Sequence, residues 1–257
     1  AFMAQRGRDS QSSEPPLEVL ESSRLGPQGA LNMGLELALA RGADYVSLMS
    51  GDDVAHRDRL ERQLVVLGET SADVVFSRPL LIDTDGNQLR DEVAPPFFVN
   101  ISEESLYIQL LERNILCAPT ATIRTGALPP APVFREDLLQ LQDYELWLRM
   151  LRAGASFVVD GVPTTSYRIH DGQLSNVGNS EGRSRLNREI MSIYCSELIG
   201  LRQSNLDPRD VHVASNYFEL ELRSARFATI VDGSTDRDLL QCGHWAALGR
   251  NEAASCS

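Results

Sequence analysis

Along this chain the apolar positions switch repeatedly between alternation or short runs and the three-and-four spacing of helices, which is the pattern of an α/β fold. Leu17-Glu-Val-Leu-Glu alternates as a strand does. Gly26-Pro27-Gln28-Gly29 reads as a turn into a helix carrying Leu31, Leu35, Ala38 and Leu39, closed by Gly42. Tyr45-Val-Ser-Leu-Met is a short apolar run suited to a buried strand. A helix from about Arg57 to Leu67 presents Leu60, Leu64 and Leu67 on one face, and Val74-Val-Phe then returns to the sheet.

The alternation continues downstream. An Asp85-Gly86 pair flanked by apolar residues predicts a hairpin over 80–89. An amphipathic helix is expected over 103–113, a strand over 115–124, a loop at 129–132, and a helix over 143–153 closed by Gly154. Strands follow at 157–159 and 165–168, and helices at 183–202 and 213–231. Residues 1–16, punctuated by Pro15 and Pro16, read as loop after a short helical start at 1–5, and the end from Gly243 reads as frayed. The expected division is 1–16 as loop or helix remnant, 17–180 as the α/β domain, and 181–257 as a helical extension.

Composition narrows the function classes. The 257 residues carry a net charge of -12, which argues against non-specific nucleic-acid binding, because that mode depends on Lys and Arg displacing phosphate counterions. Arginine supplies all the basic charge, since the chain has no lysine. Cys117, Cys195, Cys242 and Cys256 have no zinc-ligand spacing and read as reduced thiols of a cytoplasmic protein. No apolar run approaches the roughly 20 residues of a membrane helix, so membrane contact would be peripheral.

The chemistry concentrates at two acidic segments. Asp52 and Asp53 follow the strand at 45–49 directly, at the sheet edge where open α/β folds bind ligands. Two adjacent carboxylates there suit a hard divalent cation that bridges phosphates, and equally suit a cap on the helix that follows; the pair alone favours the cap. Its neighbours change the balance. Gly29-Ala-Leu-Asn-Met-Gly-Leu-Glu-Leu-Ala, Tyr45-Val-Ser-Leu-Met-Ser-Gly-Asp-Asp and Arg59-Leu-Glu-Arg-Gln, in that order, closely resemble the middle of family-two, inverting, metal-dependent glycosyltransferases. Ser50 stands where that family often has a further aspartate. The second segment, Leu141-Gln-Asp-Tyr-Glu-Leu-Trp-Leu-Arg, resembles the family's catalytic-base motif, with Gln142 in place of its first acid. Tyr167-Arg-Ile-His, with Ser175 beyond, resembles the loop that ends the catalytic domain.

The resemblance implies a Rossmann-like nucleotide-diphospho-sugar transferase fold of the A type, a mixed central sheet flanked by helices with a C-terminal helical extension. It implies Asp143 as general base, Asn32, Asp52 and Asp53 as donor contacts, and Asp53 with His170 as ligands of Mg²⁺ or Mn²⁺. Gln142, Trp147 and Arg168 would support them from behind. The implied reaction moves a sugar from a nucleoside-diphosphate donor, UDP-linked, to a hydroxyl of a glycan or lipid-linked acceptor at the inner face of the membrane. The family's opening strands, which hold nucleobase and ribose, have no counterpart here, so the expected fold is truncated at its N-terminus. The alternative is a non-catalytic scaffold or partner-binding module of the same fold. A sugar-phosphate nucleotidyltransferase is disfavoured, because it expects a Gly-rich basic N-terminal loop. Glu145 and Arg149, at helical spacing, predict an intrahelical ion pair.

Overall fold

The apolar run Val74–Ser77 is buried along its whole length, which only a strand covered on both faces can be, and it forms the centre of the larger sheet. In the computed structural model, which describes residues 17–21, 26–90, 105–173 and 180–232, the strands are β1 (Tyr45–Ser47), β2 (Val54–Ala55), β3 (Val74–Ser77), β4 (Leu80–Ile82), β5 (Thr122–Arg124), β6 (Phe157–Asp160) and β7 (Thr165–Arg168). The helices are α1 (Gly26–Ala40), α2 (Arg59–Thr70), α3 (Leu106–Glu112), α4 (Gln142–Arg152), α5 (Ser180–Gly200) and α6 (Pro208–Asp232).

Four strands form one mixed sheet in the order β1-β5-β3-β6, with β5 antiparallel to both neighbours and β6 parallel to β3. A second, three-stranded sheet runs β2-β7-β4. Helices flank the sheets, as the A-type fold expects. Trp147 on α4 is fully buried and meets Phe76 of β3 and Phe157 of β6 edge-on, with ring centres 4.9 and 5.9 Å apart. The same core cluster continues through Ile193 and Tyr194 of α5 to Phe218 and Leu222 of α6. Gly42 and Gly154 take φ of +70° and +96° just past α1 and α4, where a side chain would be strained.

Four expectations change. Leu17–Glu21 is not a strand: Leu17 and Leu20 are 63% and 41% exposed, and alternation without a partner strand or a face to bury does not hold extended pairing. Gly26–Gly29 is the first turn of α1 rather than a turn before it, with Pro27 at a position where a missing N–H costs nothing. Of the run 115–124 only Thr122–Arg124 is strand; Pro119 lies in a 3₁₀ turn over Ala118–Thr120 that bends the chain beneath the acidic site. Cys195 is disulfide-bonded, whereas Cys117 is a buried free thiol, because wide spacing in sequence excludes a metal pair but not a disulfide. The proposed helical start at 1–5, the end from Gly243, Cys242 and Cys256 lie outside the described residues.

Candidate functional site

The chain leaves β1 at Ser47, passes through the buried Leu48, and is gathered by a buried arginine before it reaches the acids. Arg59, near the start of α2, donates to the carbonyls of Leu48 and Ala121 at 2.9 and 3.1 Å and to Gln63 Oε1 at 3.1 Å. Gln63 in turn donates to the Thr120 carbonyl at 2.7 Å and accepts from Thr122 at 2.6 Å. Burial lowers the Arg59 pKa from its ordinary value, and the neighbouring Cys117 and Asp53 oppose that. This network ties α2, the end of β1 and the 3₁₀ turn into one floor.

On that floor the second sheet fixes Asp52 and Asp53. β2 pairs antiparallel with β7, Val54 opposite Ser166. The register brings the Arg168 backbone N–H to Asp53 Oδ1 at 2.8 Å. Asp53 Oδ2 is buried and has no hydrogen-bond partner among the described residues. The Asp53 pKa rises to about 6, chiefly through burial, with Asp52 adding to the rise and the Arg168 N–H opposing it. A desolvated carboxylate oxygen beside a second carboxylate is a donor set that suits a hard divalent cation. It is not a helix cap: Asp58 is the residue at the N-cap of α2.

Arg168 and His170 surround the pair. The Arg168 guanidinium donates to the carbonyls of Asp52 (2.8 Å), Asp83 (2.8 Å) and Thr84 (2.9 Å), so it staples the acidic loop to the hairpin after β4. His170 Nδ1 accepts the Gly172 N–H at 3.1 Å, which assigns the ring proton to Nε2, and Nε2 lies 2.9 Å from Asp52 Oδ2. Both ring nitrogens are therefore engaged: in this arrangement His170 holds Asp52 and presents no lone pair to a metal. No group of three His, Cys, Asp or Glu side chains that could hold a metal occurs among the described residues.

Asp143 enters from α4, in its first turn. Its Oδ1 accepts the Tyr144 N–H at 2.8 Å and its Oδ2 accepts from the Asn114 side chain at 3.1 Å. Burial nevertheless raises its pKa to about 6, against the pull of those two bonds. The Cys117 thiol pKa is pushed well up, first by burial and then by the charges of Asp53 and of Asp143. The hydrogen bond from Asn114 to Asp143 ties α4 to the segment 114–121, whose Ala121 carbonyl Arg59 holds beside the exit of β1.

The remaining residues are elsewhere. Asn32 is buried inside α1, where Nδ2 donates to the Phe134 carbonyl and Oδ1 accepts the Phe134 N–H, both at 2.8 Å. Its amide is fully engaged in anchoring the loop before α4, not in a turn. Gln142 Oε1 is buried without a hydrogen-bond partner among the described residues, beside Asp143. Trp147 is a core residue of the aromatic cluster. Glu145 and Arg149 form the intrahelical pair that their spacing predicts, at 2.9 Å. Asn114, Cys117 and the floor role of Arg59 escape a reading of the sequence; Asn114 is a lone amide between a helix and an apolar run, and nothing in its spacing points at Asp143.

Comparison with known proteins adds three findings. The family profile described as "Glycosyl transferase family 2" matches residues 4–126, which includes Asp52, Asp53 and Arg59 and stops short of Asp143. The amylovoran biosynthesis glycosyltransferase AmsB of Erwinia amylovora is 27% identical over 157 residues, 59% of this chain and 50% of that protein. The putative teichuronic acid biosynthesis glycosyltransferase TuaG of Bacillus subtilis is 27% identical over 154 residues, 59% of this chain and 56% of that protein. The chain thus spans about half the length of these relatives. Among solved structures, S. aureus TarS 1-349 in complex with UDP-GlcNAc superposes with a TM-score of 0.57 at 16% identity, over 80% of this chain and 55% of that one. Its complex with UDP gives 0.56 at 14% identity, over 87% and 62%. These likenesses show the A-type nucleotide-sugar transferase fold.

Proposed function

We propose that this chain, whose residues 4–126 match the glycosyl transferase family 2 profile, is a member of that family and transfers a sugar from a UDP-linked donor to a hydroxyl of a growing polysaccharide, with inversion at the anomeric carbon. The observation that carries the reading is two carboxylates tied to one floor, Asp143 through Asn114 and Asp53 beyond the strand exit that Arg59 binds to the Ala121 carbonyl, each with its pKa near 6. They have different surroundings and so suit different tasks. Asp143, hydrogen-bonded by Asn114 and Tyr144, keeps lone pairs with which to accept a proton from an acceptor hydroxyl, and a pKa near 6 leaves it ionised at neutral pH yet still basic. Asp53, with one buried oxygen unpartnered, fits the protein's share of a divalent cation whose other ligands come from diphosphate and water. A bound Mg²⁺ or Mn²⁺ would supply charge stabilisation for the departing diphosphate.

The chain's own residues do the rest. His170 and Arg168 hold Asp52 and the acidic loop in place. Gln142 is neutral, so no like charge stands beside Asp143 to resist its ionisation. The acidic surface suits a neutral sugar hydroxyl better than a polyanionic acceptor. The biosynthetic names of the relatives support a polysaccharide or a lipid-linked precursor as acceptor, with action at the cytoplasmic face of the membrane. Among the described residues no helix is long and apolar enough to cross a membrane.

The test is the configuration of the product. With a UDP-α-sugar, Mn²⁺ and a hydroxyl acceptor, proton NMR of the first turnover is expected to show the β-linked product. An α-linked product would rule out single displacement by one base.

A further inference from the structure

The C-terminal helices have no part in the motifs, yet α5 reaches the segment that leads to Asp143. Glu189 of α5 is buried, and its two carboxylate oxygens accept three successive backbone N–H groups: Leu139 on Oε1, and Gln140 and Leu141 on Oε2, each at 2.9 Å. Leu141 is the residue at the N-cap of α4, two positions before Asp143. Its own side chain can cap nothing, and the carboxylate from another helix instead fixes the backbone of the segment that enters α4. Three amides converging on one anion form a nest, and charge-assisted bonds of this kind are the strong ones.

The same face of α5 holds the preceding loop. Ser192 and Ser196, three and seven positions after Glu189, accept from Arg135 at 2.7 and 3.1 Å. Arg135 also pairs with Asp137 across two residues. From Arg135 to Leu141 the loop is therefore gripped at both ends by one helix face, while Asn32 holds Phe134 just upstream.

We propose that α5 is the clamp of the site, with Glu189 a positioning residue that fixes the start of α4 and thereby aims the Asp143 carboxylate. This rests on Asp143 being the general base. It assigns the helices beyond residue 180 a role in turnover, through geometry alone, since both Glu189 oxygens are taken by backbone amides. A base displaced by even about 1 Å costs up to about a hundredfold in rate, whereas donor binding on the Asp53 side, held by α2 and β7, does not depend on α4.

The experiment compares Glu189→Gln with Glu197→Gln in the full chain. Glu197 is a buried carboxylate on the same helix that pairs with Arg152 and Tyr107 at the far end of α4, so its loss controls for general loosening of α5. Expected for Glu189→Gln are faster hydrogen exchange at the amides of 139–141, a fall in kcat per folded molecule of about tenfold or more, and a donor KM within about twofold of the parent. Glu197→Gln is expected to lower Tm and leave kcat per folded molecule unchanged. The proposal is overturned if exchange at 139–141 is unaltered in Glu189→Gln, or if its kcat per folded molecule matches that of Glu197→Gln. Full turnover by Asp143→Asn would instead overturn the base assignment, and the catalytic part of this proposal with it, even with exchange at 139–141 accelerated.

Discussion

Asp53 and Asp143 both carry pKa values near 6, against an ordinary 3.8, and the sign of that shift fixes how the protein answers to pH. A raised folded pKa means that the folded state holds the proton more tightly than the unfolded one. Each group's contribution to stability is therefore complete below about pH 4 and is lost as pH rises towards and through about 6. Thermal melts without metal are expected to show a falling Tm contribution across that window. A cation on Asp53 reverses this, because it favours the ionised form: the Tm gain from Mn²⁺ with UDP should be small near pH 5 and full above about pH 7. Asp53→Asn is expected to abolish that gain at every pH. A gain equal at both pH values, or retained in the variant, would place the metal elsewhere.

At the scale of elements, the strands and helices with a clear period were legible, and the pieces set by distant partners were not. Val74–Phe76 and the helix after Gln142 announce themselves by unbroken burial and by an amphipathic stripe. Leu17–Glu21 alternates as well as any strand, but alternation states only which side could be buried, and Leu17 and Leu20 stay exposed. The position of Asp52 and Asp53 just after β1 was readable, because an apolar run ending in acids is local. Their fixation by β7 was not, since β2 is two residues long and its pairing is decided across more than a hundred positions. Asn32 illustrates the same limit: its amide serves Phe134, and spacing gives no hint of that. Asn32→Ala leaves a buried N–H and a buried carbonyl unpaired, so it is expected to cost about 2–4 kcal/mol in denaturant melts. A change below about 0.5 kcal/mol would mean that the loop is held without it.

For the whole molecule, the fold is a mixed four-stranded sheet and a smaller three-stranded one, with the acidic pair between β1 and β2, and the larger core cluster includes residues from α1 to α6 beside a smaller one of Leu67, Ala72 and Val75. The family profile spans the acidic pair but ends before α4, so the proposed role of Asp143 rests on its place in the first turn of α4 and on its bond from Asn114. That Asp143 serves as the base of the same site is the central claim. It is tested most directly by Asp143→Asn, measured for UDP binding with Mn²⁺ by calorimetry and for sugar transfer in the same preparation. The account predicts binding like the parent's and a loss of turnover of about 10²–10⁴-fold. Turnover at the parent rate would contradict it.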